Sequence, residues 1–217
     1  MGSREEAAEA LATPEYWDGR YSRSDGEHPT HEWFKSYDQL QPFLTNHLFN
    51  IRKPQDQPTI LHLGAGDSDV PQHLLERGYR NQICVDFSPA VVSLMKAKQL
   101  DGITWRQADV RDMPAITSDS IDVAFDKGTL DAMIHGSPWN PPDEVKQNAS
   151  RYMREVARVL KHDGVFLYIT FRQPHFIKPL LNQDDLWGLT VEVLKESESS
   201  FDYYAFSMRK ATTSSSA

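Results

Sequence analysis

The sequence predicts an α/β fold: a doubly wound, mostly parallel seven-stranded sheet closed by a C-terminal antiparallel hairpin. Three observations predict it. From residue 59 onward, short apolar β-rich runs alternate with segments of helical periodicity, which is the pattern of βαβ units. The first apolar run ends in a glycine-flanked turn, "LGAGDS" (63–68). The last two strand-like runs are separated only by the polar stretch "SESS" (197–200), long enough for a hairpin and too short for a parallel crossover.

In chain order, residues 1–13 read as a loose or helical leader, ahead of one domain over 14–209. "PEYWDGRYS" (14–22) carries three aromatics, and "HEWFKSYDQLQPFLTNHLF" (31–49) sets Trp33, Phe34, Tyr37, Leu40, Phe43, Leu44 and Leu48 at helical spacing. Together they predict an N-terminal helical cap over 14–50, joined by the polar connector "NIRKPQDQP" (50–58) to the alternating region. There, strands are expected over 59–64, 82–87, 103–109, 120–126 and 165–171, and helices over 69–78, 89–100 and 142–164. The last of these helices keeps Val145, Ala149, Tyr152, Val156 and Val159 on one face. Pro142 marks its first turn and Gly164 its stop. The closing hairpin is read over 189–197 and 200–210, and 210–217 as a disordered tail without packing residues.

At 217 residues the chain can bury a substantial core, and 39% hydrophobic with 25% charged residues is ordinary for a globular protein. No apolar run approaches the ~18 residues of a membrane span. The N-terminus lacks the basic and apolar regions of a signal peptide, and Glu6 occupies the place where a myristoylation motif wants Ser or Thr. A single cysteine, Cys84, rules out an internal disulfide framework and a CxxC zinc site, so a reducing, cytoplasmic setting is expected. The eight histidines have no paired cysteines or HxxxH spacing to hold a metal. With a formal net charge of −8 and no dense basic stripe, nucleic acid is a poor partner and a cationic one a better match. A monomer is expected.

The chemistry gathers at strand ends. Gly64 and Gly66 follow the first strand, where glycine tolerates positive φ and lets backbone approach a ligand closely. Asp86 ends the second strand at about the spacing at which a carboxylate accepts ribose hydroxyls in nucleotide-binding sheets. Asp109 and Asp126 end the third and fourth. Like charges gathered on one rim repel, so a ligand is a better reason for them than stability. A dinucleotide site wants a third small residue under its pyrophosphate, but Asp69 stands there with Asp67 nearby. Two carboxylates suit a ligand with a cationic end, such as the sulfonium and ammonium of S-adenosylmethionine.

The runs "ILHLGAGDS", "VDFS", "ADVRDMP" and "IDVAFDKGTLDA" together resemble the class I, seven-strand S-adenosylmethionine-dependent methyltransferases. The resemblance covers about residues 14–209 and implies the Rossmann-like fold of that family. More narrowly, "EYWDGRYS", "HEWF", "DKGTLDAM" and "REVARVLKHDGVFLYIT" are similar to the small methyltransferase-like proteins that include the elongation factor 1-alpha lysine methyltransferases. The resemblance implies that Trp17, Tyr21 and Trp33 close over the methionine end of S-adenosylmethionine and that Gly64 and Gly66 pass beneath it. It places Asp86 on the ribose, Phe87 and Val110 beside the adenine, Asp109 on the adenine amino group and Lys127 along the site. Aromatic faces would attract a sulfonium by cation–π interaction. "DKGT" replaces the "NPPY" or "DPPY" type of motif, which argues against methylation of amides or exocyclic amines.

A lysine acceptor must lose a proton before attack, since its reference pKa is about 10.4. Asp126 and Asp131 are the candidate acid–base residues, with His135 and His175 further possibilities. The expected acceptor is a protein, elongation factor 1-alpha being one candidate. A small thiol or amine, and a catalytically silent cofactor-binding module, remain the alternatives.

Overall fold

The computed structural model describes residues 2–24, 31–195 and 201–211. Before the sheet come α1 (Gly2–Ala10), α2 (Pro14–Tyr21) and α3 (Tyr37–Leu44). The alternating region follows as β1 (Ile60–Leu63), α4 (Val70–Glu76), β2 (Gln82–Asp86), α5 (Pro89–Ala97), β3 (Ile103–Gln107) and β4 (Ile121–Lys127). Then come α6 (Thr129–Met133), α7 (Asp143–Val159), β5 (Leu160–Thr170), α8 (Pro174–Leu181), β6 (Trp187–Leu194) and β7 (Tyr203–Lys210).

The seven strands form one sheet in the order β3-β2-β1-β4-β5-β7-β6. Strands β1 to β5 are parallel to one another, and β7 runs antiparallel to both β5 and β6. Both faces are covered, which is why β1 and β4 are buried along almost their whole length and mostly apolar. Along β5, Phe166 and Tyr168 join the core on the α7 and α8 face, while Leu167 and Ile169 join the one beneath α3 and α4. Each fully buried aliphatic or aromatic side chain of this kind contributes ~1.5–3 kcal/mol of transfer free energy. Strand order reverses at β1, so the carboxyl ends of β1 and β4 open a crevice at the switch point.

Two boundaries differ from expectation. The helix expected to run to Gly164 stops at Val159, because buried Leu160 turns extended and pairs with Ile121 of β4. Gly164 lies inside β5, where a Cβ would sit 3.0 Å from the Ile121 carbonyl oxygen. Tertiary pairing there overrides helical periodicity. The helix expected over 31–49 begins only at Tyr37: Ser36 and Gln39 form a reciprocal capping box, and Phe34 has φ 64°. Lys210, read both as the end of the hairpin and as the start of the tail, is the last residue of β7 and pairs with Trp187. Helices α6 and α8 were not expected at all. The stretch "SESS" and the tail from 212 lie outside the described residues.

Candidate functional site

A cavity of about 260 Å³ occupies the switch point. Its floor is the β1–α4 turn. Gly64 and Gly66 take left-handed φ values of +59° and +53°, a region costly for residues with a Cβ. Sterics add a second requirement. A Cβ on Gly64 would lie 2.3 Å from the Thr129 Oγ1, and one on Gly66 2.5 Å from the Tyr21 hydroxyl. Thr129 in turn donates to the Leu63 carbonyl at 2.7 Å, locking the start of α6 onto the end of β1.

Asp86 closes β2 beneath this turn. Its carboxylate accepts the Gly66 N–H at 2.9 Å and the Ser88 N–H at 3.0 Å. Burial raises its pKa to about 6, although these backbone donors pull the other way. The group therefore stays close to ionisation at neutral pH and borders the cavity. Asp109 lies at the next strand end. Burial would push its pKa up, but hydrogen bonds and charge from Arg111 outweigh it and hold the carboxyl below its usual range.

All ten residues expected around a cofactor line the cavity: Trp17, Tyr21, Trp33, Gly64, Gly66, Asp86, Phe87, Asp109, Val110 and Lys127. The aromatics form a connected wall. Trp17 stacks on Tyr21 at 5.9 Å between ring centroids and meets Trp33 edge-on at 5.7 Å. Helix α2 is anchored by Asp18, which accepts the Ser88 hydroxyl at 2.8 Å and the Ala90 N–H at 3.1 Å at the start of α5. The leader takes part as well: Ala8, Leu11 and Ala12 line the cavity, and the Trp17 indole N–H donates to the Leu11 carbonyl at 2.7 Å.

Residues 31–36 cross the mouth as a strap. Glu32 accepts from the Ser68 hydroxyl at 3.1 Å and from the buried Lys127 ammonium, which also donates to the Trp33 carbonyl at 2.8 Å. Phe34 covers Gly128 and meets Phe171 edge-on at 5.5 Å.

The two candidate acid–base carboxylates part company. Asp126 does not line the cavity. Fully buried, it accepts the Thr129 and Leu130 N–H groups at 2.7 and 3.0 Å and the Tyr152 hydroxyl at 2.8 Å. Burial raises its pKa to about 7 against these bonds. With its oxygens turned into the first turn of α6, Asp126 is a structural acceptor, which corrects its expected place at the reaction centre. Asp131, one turn along, does border the cavity. It accepts the Tyr168 and Thr170 hydroxyls at 2.6 and 2.7 Å, and Arg172 Nε lies 3.4 Å away. Burial raises its pKa to about 6. His135 and His175 do not line the cavity: the former lies 3.9 Å from Glu9, and the latter packs on Phe176.

Sequence reasoning missed Asp18, Glu32 and Thr129 as site-builders, although each lies inside a motif it singled out. It also missed the Tyr168–Thr170–Arg172 support of Asp131. The i, i+2 spacing of Tyr168 and Thr170 on one strand face was the available signal. Among the described residues no group of His, Cys, Asp and Glu could hold a metal ion, and no helix is long and apolar enough to cross a membrane.

A family model described as a methyltransferase domain matches residues 61–168, the span from β1 through β5 that builds the crevice. The chain is 36% identical over 168 residues to EEF1A lysine methyltransferase 4 of Mus musculus and 34% identical over 166 residues to that of Bos taurus. The chain carries a methyltransferase domain. In both relatives the match covers 75% of this chain and 62% of theirs, so this methyltransferase chain spans less than two thirds of their length. It is also 33% identical over 203 residues to the eEF1A lysine and N-terminal methyltransferase of Danio rerio, covering 89% of this chain and 27% of that one. Among solved structures, one from work on conversion of a disulfide bond into a thioacetal group during echinomycin biosynthesis superposes with a TM-score of 0.64. It is 15% identical and matches over 94% of this chain and 95% of that one. Geranyl diphosphate C-methyltransferase of Streptomyces coelicolor gives a TM-score of 0.61 at 14% identity, over 91% and 98%. These likenesses show the methyltransferase fold, with its antiparallel last strands.

Proposed function

We propose that this chain binds S-adenosylmethionine in the switch-point cavity and methylates a lysine amine on a protein, elongation factor 1-alpha being the first candidate. The observation that carries the reading is the left-handed glycine turn braced by Asp86 and roofed by Tyr21. The Tyr21 hydroxyl already takes the space a Cβ on Gly66 would need, so the turn must be glycine and presents bare backbone to the cavity, where a ligand can lie close. The names of the relatives support the acceptor.

The cofactor, when bound, supplies a methyl group already activated by its sulfonium. The chain's own task is then alignment and proton management. Asp86 offers its carboxylate to paired ribose hydroxyls, and Phe87, Asp109 and Val110 frame a base. Trp17, Tyr21 and Trp33 present ring faces suited to a cationic centre. Asp131, held by two hydroxyls at the cavity wall, orients an incoming ammonium and accepts its proton directly or through water. Residues 14–209 form the catalytic unit, with the leader adding part of its wall. The reading extends to a cytoplasmic monomer, supported by one buried cysteine, Cys84, and to no engagement of nucleic acid or membrane, supported by the net charge of −8.

The test is transfer of labelled methyl from S-adenosylmethionine to purified elongation factor 1-alpha and to a cell lysate, with the labelled residue mapped. Label on a lysine of one protein is expected. Rapid labelling of a small thiol or amine with every protein unlabelled would replace the acceptor. Cofactor binding with no transfer at all would make this a silent binding module.

A further inference from the structure

We infer that Trp139, braced by His175 and Phe176, is a docking platform for the protein that carries the methyl acceptor, and that its occupant is a basic surface segment of that protein. The inference rests on the reading that the acceptor is a lysine on a protein.

Trp139 is 80% exposed, and it is the large side chain an apolar core would normally claim. It is nevertheless held in place. Its ring meets Phe176 edge-on at 4.7 Å and lies 6.2 Å from His175, whose ring sits 3.9 Å from that of Phe176. Pro138, Pro141 and Pro142 stiffen the loop that presents it. A rigid, solvent-facing indole loses little entropy when a partner covers it, which is the profile of an interface anchor.

Position and charge name the occupant. The two segments that carry the platform also supply the cavity wall, through Met133 and Ile134 on one side and Phe171 and Arg172 on the other. A side chain entering the cavity there brings its own protein surface over Trp139. Just beyond, Asp143 and Glu144 open α7, both exposed. Arg172, at the cavity wall, donates to the carbonyls of Asp131 and Ile134. Lys146 pairs with Asp143 at 3.3 Å, and Glu144 adds a second exposed carboxylate; an aromatic face beside them, on a chain of net charge −8, suits a lysine- or arginine-bearing segment.

The experiment compares full-length wild type with Trp139→Ala and Trp139→Phe on two acceptors: purified elongation factor 1-alpha, and Nα-acetyl-lysine amide as an acceptor without a surface. For Trp139→Ala the KM for the protein should rise about tenfold, as for loss of an interface anchor. Its kcat, cofactor affinity and rate on the small amine should match wild type. Trp139→Phe should recover most of the loss. An unchanged KM, with wild type labelling the protein normally, would overturn the platform and leave the methyltransferase reading standing. Equal losses on both acceptors would overturn it too, by placing Trp139 in the reaction centre. If wild type, loaded with cofactor, leaves elongation factor 1-alpha unlabelled, the acceptor reading fails and the platform falls with it.

Discussion

The backbone N–H of Gly66 donates to the carboxylate of Asp86 at 2.9 Å, tying the β1–α4 turn to the end of β2. One carboxylate thus shapes the floor of the cavity and also borders it. Asp86→Ala should weaken S-adenosylmethionine binding by at least ~1.5–3 kcal/mol, the range for hydrogen bonds to a charged group. Isothermal calorimetry reads this directly, and an unchanged affinity would remove the ribose assignment.

The same carboxyl makes binding pH-dependent. Burial raises its pKa to about 6, and ribose hydroxyls donate to the ionised form. Affinity should therefore climb as pH rises through about 6 and level off above it. Stability of the ligand-free protein moves oppositely. A raised folded-state pKa stabilises below the ordinary carboxylate value, and that contribution is lost as pH rises through about 6. Asp86→Asn should flatten the affinity profile in calorimetry and lessen the slope of stability with pH in thermal melts, the rest of that slope coming from buried Asp126 and Asp131.

Gly66→Ala should destabilise the fold and abolish cofactor binding. The left-handed backbone alone costs a residue with a Cβ roughly 1–2 kcal/mol, and the new methyl would also press on the Tyr21 hydroxyl. Tyr21→Phe removes that oxygen, so the double variant should recover part of the lost melting temperature while the backbone cost remains. A double variant no more stable than Gly66→Ala would show that the hydroxyl contact is irrelevant.

Asp126 and Asp131 should separate in mutagenesis. Asp126→Ala leaves two buried N–H groups and the Tyr152 hydroxyl without their acceptor, a loss of ~1–3 kcal/mol or more in denaturant titration. Asp131→Asn should instead lower kcat while cofactor affinity holds. A slow but stable Asp126 variant would return Asp126 to the chemistry.

Glu32→Gln should release the strap. It takes from the buried Lys127 ammonium its carboxylate partner, and removing one half of a buried pair costs ~3 kcal/mol or more. Hydrogen exchange over 31–36 should accelerate and cofactor affinity should drop. An unaltered exchange rate would leave the strap to its aromatic contacts alone.

The alternation of β-rich and helical runs, the glycines after "TILHL" and the carboxylates after the next two strands were legible because each rests on local chemistry. Periodicity sets which face a residue presents, and positive φ selects glycine. These signals predicted the sheet, the hairpin and the place of Gly64, Gly66, Asp86 and Asp109, whereas Trp17, Tyr21, Trp33, Phe87, Val110 and Lys127 were expected only from the resemblance to methyltransferases. Short α6 was not legible, because five residues carry too little periodicity and its start depends on acceptors from Asp126 and Thr129 packing on Gly64.

Local sequence thus determined the class of fold and where along the chain a ligand must sit. Only the tertiary structure decided which of two similar aspartates faces the cavity, because Asp126 on β4 is tied to the start of α6 and to Tyr152 of α7, while Asp131 on α6 is held at the cavity wall by Tyr168 and Thr170 of β5. It also decided that Leu160 leaves the helix for a strand, since its partner Ile121 lies 39 residues away in sequence and next to it in the sheet. Finally, it brought Glu32 to Lys127 across 95 residues. Spacing along the chain carries no record of such pairs, because they form only when the sheet closes and burial makes each charge seek the other.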